Sequence, residues 1–148
     1  MFDIICCEAD PGKYGFDKLF FSRSVRIQEA ENLEDAAKSR NRKMLLRLRD
    51  YAFDEGSVKI IAEKKQICFL IDLGKIIKSR GVSRAIAISK LRNFLALCNR
   101  YGAFYTFATF AENENQIRTA EELVHIAMLF DINKGQARFA LKMLNHYL

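Results

Sequence analysis

The sequence predicts an α/β fold with a mainly parallel sheet. Apolar runs of strand length alternate with amphipathic helical stretches, and the loops between them are short. One run, Ile67 to Ile71, is apolar at five successive positions, which implies a strand buried on both faces, as in a parallel sheet. A third observation is a long helical pattern over residues 83–101, in which Ala87, Leu91, Phe94, Leu95 and Cys98 fall on one stripe. An open sheet and a barrel both satisfy these patterns. The chain of 148 residues suits one cored domain, residues 1–148, and half its residues are apolar, which excludes disorder for the bulk.

Residues 2–8 read as a first strand, ended by the turn chemistry of Asp10, Pro11 and Gly12. Leu19, Phe20 and Phe21, then Val25 and Ile27, form one bent strand or two short ones around Ser22, Arg23 and Ser24. Asn32 is a plausible N-cap, with Glu34 and Asp35 in a first turn and basic residues later, and Leu33, Ala37, Met44 and Leu48 recur near helical spacing. A helix over residues 33–49 is therefore expected. A short strand at residues 51–53 follows, then a helix capped by Ser57 and carrying Val58, Ile61 and Ala62 inward.

The strand at residues 66–72 leads into a brief helical turn at Lys75, Ile76 and Ile77, which Ser79, Arg80 and Gly81 break. The long helix ends at Gly102, a natural C-terminal stop. Residues 103–110 read as the next strand. Thr119 to Glu122 has the pattern of a capping box for a helix with Leu123, Ile126, Ala127 and Phe130 inward. A last helix spans residues 134–144 with Ala137, Leu141 and Leu144 inward.

The chemistry is as informative in what is missing as in what is present. The four cysteines, Cys6, Cys7, Cys68 and Cys98, show neither metal-ligand spacing nor a disulfide framework, and read as reduced core thiols. Phosphate-cradle glycine motifs and the hydrolase elbow are absent. His125 and His146 lack acidic partners at ligand spacing and read as structural or surface residues. No run approaches the roughly 20 apolar residues of a membrane span, and the N-terminus has no leader pattern, so a soluble cytoplasmic protein without membrane partners is expected. Glu8, Asp10, Asp54 and Asp72 stand at strand ends, where α/β folds place active sites, and they keep open a metal-dependent phosphoesterase reading.

Charge is uneven along the chain. Residues 66–103 carry seven basic groups against one acidic group, whereas the two terminal segments are slightly acidic. A concentrated basic surface attracts polyanions, of which nucleic acid is the commonest in the cytoplasm. Arg80, Arg84 and Arg92 are the preferred phosphate contacts, because Arg can hold a phosphate at two points. A solubilising face on a non-catalytic α/β adaptor is the alternative. Tyr101 and Tyr105 could stack on bases, although core packing suits their positions better.

From Asn41 onward the order of segments resembles the archaeal and eukaryotic family of ribonuclease P protein component 3. The resemblance rests on Asn41 and Arg42, on Asp54-Glu55-Gly56 before a helix, and on the strand from Phe69 to Asp72. The stretch from Leu73 to Gly102 is its strongest part, and it continues through the strand after Gly102 and two closing helices. It implies a TIM-barrel-like fold and an RNA-binding subunit of the ribonucleoprotein that removes the 5′ leader of precursor tRNA. It further implies that the RNA subunit performs the hydrolysis with magnesium, and that this chain holds no catalytic residue, metal or cofactor of its own. The implied partners are the ribonuclease P RNA, precursor tRNA and a small RRM-like ribonuclease P subunit, paired in a possible heterotetramer. RNA contact is carried over to Arg80, Arg84 and Arg92 first, then to Lys75, Lys78, Arg100, Asn41 and Arg42. A full eight-unit barrel takes roughly 200 residues or more, so a shortened or incomplete barrel is expected, abridged near the N-terminus. The loop after the strand at residues 103–107 is acidic here, which removes it from phosphate contact, and uncovered strand edges would call for a partner.

Overall fold

A computed structural model describes residues 1–148. Six short strands form: β1 (Phe2–Ile5), β2 (Lys18–Phe21), β3 (Ile27–Ala30), β4 (Met44–Leu48), β5 (Ile67–Asp72) and β6 (Phe104–Ala108). The helices are α1 (Leu33–Ala37), α2 (Glu55–Lys64), α3 (Leu73–Lys78), α4 (Gly81–Tyr101), α5 (Ala120–Ala127) and α6 (Lys134–His146). All strand pairs are parallel: β1 with β2, and β3-β4-β5-β6 in sequence order. The two sheets meet where β1 runs beside the segment after β6. There the Phe110 amide donates to the Ile4 carbonyl at 2.8 Å, and the Cys6 amide to the Ala111 carbonyl at 2.7 Å.

Around the fold the strands therefore run β2-β1-β6-β5-β4-β3, a barrel left open between β2 and β3. The opening has a simple cause. Parallel neighbours need a crossover of about a dozen residues or more, and only residues 22–26, shaped by a single 3-10 turn, separate β2 from β3. The expected parallel, TIM-barrel-like but incomplete fold is borne out.

The two faces of the sheet bury different sets. Leu46, Leu48, Phe69, Ile71 and Phe107 pack toward Leu91, Phe94 and Leu95 of α4 and toward Leu123 and Phe130. Phe94 meets Phe69 edge-on at 5.0 Å and Tyr51 at 4.9 Å. Leu45, Cys68, Leu70 and Ala108 point the other way and gather with Ile4 and Leu144 of α6. The Thr106 hydroxyl donates to the Ala140 carbonyl at 2.7 Å, which ties β6 to α6.

Several sequence expectations need correction. The predicted helix over 33–49 is only α1, five residues capped by Asn32, after which the chain turns and enters β4. The stripe of Leu33, Ala37, Met44 and Leu48 was compatible with a helix, but Leu45 and Leu46 are both fully buried on opposite faces, the pattern of a central strand. Pairing on both edges of β4 overrides local helical preference. Residues 51–53 form no strand, and Asp54 rather than Ser57 caps α2, accepting the Ser57 amide at 3.1 Å. Of the two readings of residues 19–27, one bent strand or two short ones, the second holds, and the two strands lie in different sheets. At α5 only the Thr119 half of the expected box forms, whereas Asn133 and Gln136 make a complete one at α6. Cys68 and Cys98 are core thiols whose pKa burial pushes up, but Cys6 is exposed and Cys7 half-buried at the end of β1.

Candidate nucleic-acid interface

Because every strand is parallel, the strand ends define two poles. At the C-terminal pole Asp72 ends β5 and caps α3, its carboxylate accepting the Lys75 amide at 3.1 Å. Gly74 lets α3 lie directly on the end of β6: a Cβ there would come 2.1 Å from the Thr109 carbonyl oxygen. This contact aims Lys75 and Lys78 over a cleft of about 500 Å³ whose wall includes Cys6, Ser22, Arg47 and Asp72.

The cleft is not uniformly positive. Arg47 bridges Glu29 at 2.6 Å and lies 3.8 Å from Asp72, with its guanidinium over the Phe110 ring. Lys78 faces Glu112 at 3.8 Å. Burial raises the Asp72 carboxyl, partly offset by the Lys75 and Gly74 amides and by the cations of Lys75 and Arg47. Of the four carboxylates singled out in the sequence, three act as caps: Asp10 accepts the Gly12 amide, Asp54 the Ser57 amide, and Asp72 the Lys75 amide, whereas Glu8 is exposed and caps no helix. No three His, Cys, Asp or Glu side chains gather in a metal-holding group.

The cations singled out on α4 and its approach divide into free and committed ones. Arg80 precedes α4, is exposed, and bridges no carboxylate. Arg84 is half-buried and donates to the Ile77 carbonyl at 2.8 Å, clasping α3 to α4 across the Gly81 turn, and its buried Nε has no protein partner. Arg92 donates from Nε to the Leu129 carbonyl at 2.8 Å and lies 3.5 Å from Asp131. Arg100 pairs with Glu55 at 3.1 Å and covers the Tyr101 ring. Lys75, like Arg80, has no carboxylate within salt-bridge distance. Tyr101 donates its hydroxyl to Glu55, and buried Tyr105 donates to Asn99 at 3.0 Å, so both serve packing. His125 and His146 are exposed.

Arg92→Ala is expected to remove one hydrogen bond that ties α4 to the turn before Asp131. The loss should be about 1 kcal/mol, or roughly 3 °C in Tm by calorimetry. An unchanged Tm would show that this bond does not hold the two elements together.

Asn41 and Arg42 lie elsewhere. They precede β4 and so belong to the N-terminal pole, together with Lys18, Arg26, Lys43 and Lys65, none of which stands out in the sequence. A usable signal was there: a Lys or Arg immediately precedes or begins the apolar runs of β2, β3 and β4, and Lys64 and Lys65 come just before β5. The expected helix over residues 33–49 concealed it by placing Arg42 and Lys43 mid-helix.

Fold and surface together define an incomplete all-parallel α/β barrel with basic side chains at both poles and with Asp10, Asp54 and Asp72 engaged as helix caps. The chain is similar to ribonuclease P protein component 3 of Methanococcoides burtonii, 29% identical over 80 residues that make up 54% of this chain and 33% of that protein. Its fold matches a chain in a cryo-EM structure of archaeal ribonuclease P with mature tRNA, with a TM-score of 0.68 and 16% identity, covering 84% of this chain and 57% of that one. This chain thus spans a third of the curated relative and little over half of the structural neighbour. No family model matches it. The family resemblance seen in the sequence and the α/β class are borne out by these two likenesses. No helix is long and apolar enough to cross a membrane.

Proposed function

We propose that this chain is an RNA-binding protein subunit of ribonuclease P that assists the catalytic RNA in removing the 5′ leader from precursor tRNA. The observation that carries the proposal is the likeness to ribonuclease P component 3 and to a chain of archaeal ribonuclease P, in a protein of formal charge +6. On this reading the phosphodiester hydrolysis and its magnesium belong to the RNA subunit, and the protein works in the cytoplasm by neutralising and positioning phosphates. Lys75, Lys78 and Arg80 are the contacts proposed at the C-terminal pole, with Arg84 and Arg92 holding the elements that present them. The edges of β2 and β3 that flank the barrel opening suit a protein partner, since bare edges are costly. A small RRM-like ribonuclease P subunit, paired in a heterotetramer, is the partner proposed.

The test is precursor-tRNA cleavage by the cognate ribonuclease P RNA at limiting magnesium, with and without this chain and the small RRM-like subunit. Stimulation that requires both proteins supports the reading; no stimulation, with both proteins folded by circular dichroism, overturns it. Binding to the RNA should also weaken roughly 100-fold between 50 and 200 mM salt for about five phosphate contacts, because displaced counterions dominate. A flat salt dependence in filter binding would argue against phosphate recognition.

A further inference from the structure

A second set of unpaired cations lies at the pole opposite the one where α/β barrels carry their sites. Arg26 directly precedes β3, Arg42 and Lys43 precede β4, and Lys65 stands two residues before β5. The ladders set their order across the sheet: Ile27 is opposite Leu45, and Met44 is opposite Ile67. Neighbouring strands lie about 4.8 Å apart, so these cations form a stepped row over three strand starts. Lys18, which begins β2, continues the row across the barrel opening.

Two adjoining clefts, of about 660 and 170 Å³, share Arg26 and Tyr147. Lys18 lines the larger one, and Arg42 and Lys43 the smaller. No Asp or Glu side chain lines either cleft, although Leu148 borders the larger one, whereas the C-terminal cleft has Asp72 and Glu112. Lys18, Arg26, Arg42, Lys43 and Lys65 are all exposed, and none bridges an acidic side chain. Asp17, beside Lys18 in sequence, is taken up by the terminal amino group. The end of α6 fixes the floor: the Tyr147 hydroxyl donates to the Lys65 carbonyl at 3.0 Å, its ring lies against Phe104, and the Lys43 ammonium sits 5.5 Å above it.

We infer that this N-terminal pole is a second RNA-binding face, on which Lys18, Arg26, Arg42 and Lys43 contact successive phosphates of the ribonuclease P RNA. The inference rests on the ribonuclease P reading and gives it a surface. A row of unneutralised cations along strand starts suits a linear polyanion better than a small phosphate ligand, which a closed cradle would hold. Backbone phosphates take their register from such contacts, and sequence is not read by them. Arg42, to which the family resemblance carried RNA contact and which the sequence put in a helix over residues 33–49, joins this face.

The experiment compares three proteins, each with the small RRM-like subunit, in filter binding to ribonuclease P RNA across 50–300 mM salt. They are the unaltered chain, the variant Arg26→Gln, Arg42→Gln, Lys43→Gln, and the variant Lys75→Gln, Arg80→Gln. The expected result is at least a tenfold loss of affinity for the first variant at 150 mM salt, with the log–log salt slope shallower by about 2 to 3. In the unaltered chain, Lys43 should be protected by RNA from acetylation in mass spectrometry, a readout that does not depend on how a variant folds. If the unaltered chain binds steeply but the first variant binds equally well, or Lys43 stays unprotected, the second face is overturned and the ribonuclease P reading stands. If the unaltered chain itself fails to bind the RNA, both fall.

Discussion

Gly74→Ala is expected to cost about 3 kcal/mol of stability, a fall of roughly 9 °C in Tm for a domain of this size. The added methyl would sit 2.1 Å from the Thr109 carbonyl oxygen and 3.2 Å from its carbon, so either α3 or the end of β6 must move. Neither can do so cheaply. Asp72 holds the first turn of α3 from below, and Thr109 is itself held by Asp3 across the junction of the two sheets. A control separates this crowding from ordinary glycine effects: Gly81 has φ +58° but open space around its missing Cβ. Gly81→Ala should cost only about 1 kcal/mol of backbone strain. Equal losses in the two variants, measured by thermal denaturation, would show that close approach at Gly74 is not what the fold requires. Because α3 carries Lys75 and Lys78, Gly74→Ala should also weaken RNA binding at the C-terminal pole.

The second large effect concerns the carboxylate that joins the two sheets. Asp3 is fully buried, and its Oδ1 accepts the amides of Ile4 and Thr109 at 2.8 Å while Oδ2 accepts the Thr109 hydroxyl at 2.6 Å. Burial raises its pKa to about 6, against the lowering effect of those three bonds, and the nearby Asp72 charge adds to the rise. The ordinary value is 3.8, so between about pH 4 and 6 the folded protein holds a proton that the unfolded chain has released. Asp3 therefore contributes most stability below pH 4 and loses about 3 kcal/mol of it as pH rises through 6.

Asp3→Asn should remove this dependence. The difference in unfolding free energy between variant and unaltered protein should grow in the variant's favour from pH 4 to pH 7, leaving it at least as stable at pH 7.5. Asp3→Ala should instead cost roughly 3 kcal/mol at pH 7 and more at pH 4, where the protonated carboxyl contributes most, since two buried amides and a hydroxyl lose their acceptor. Parallel pH profiles for Asp3→Asn and the unaltered chain, from urea denaturation, would rule out the raised carboxyl.

The elements that could be read from residues alone are those whose burial is local. The five-residue apolar run of β5, the stripe of α4 with its Gly102 stop, and the inward Ala137, Leu141 and Leu144 of α6 all behave as their spacing predicts. Where local and tertiary preferences conflict, the sequence misleads. Residues 33–49 carry a helical charge order and an acceptable stripe, yet Met44–Leu48 becomes a strand because β3 and β5 offer it hydrogen bonds on both edges. The candidate site is affected in the same way. The linear density of cations in residues 66–103 is genuine, but folding commits much of it: Arg84 to a carbonyl, Arg92 to Leu129 and Asp131, Arg100 to Glu55, Lys78 to Glu112 and Lys90 to Asp50.

What the sequence determined by itself is the α/β class, the net positive charge and the resemblance to ribonuclease P component 3. Composition, periodicity and connection length are properties of the chain, and they survive any arrangement of it. Only the tertiary structure decided where the barrel stays open, which carboxylates become caps, and which cations remain free. Those outcomes depend on pairs far apart in the chain, such as Asp3 with Thr109 or Arg26 beside Tyr147, whose proximity exists only once the strands have been ordered.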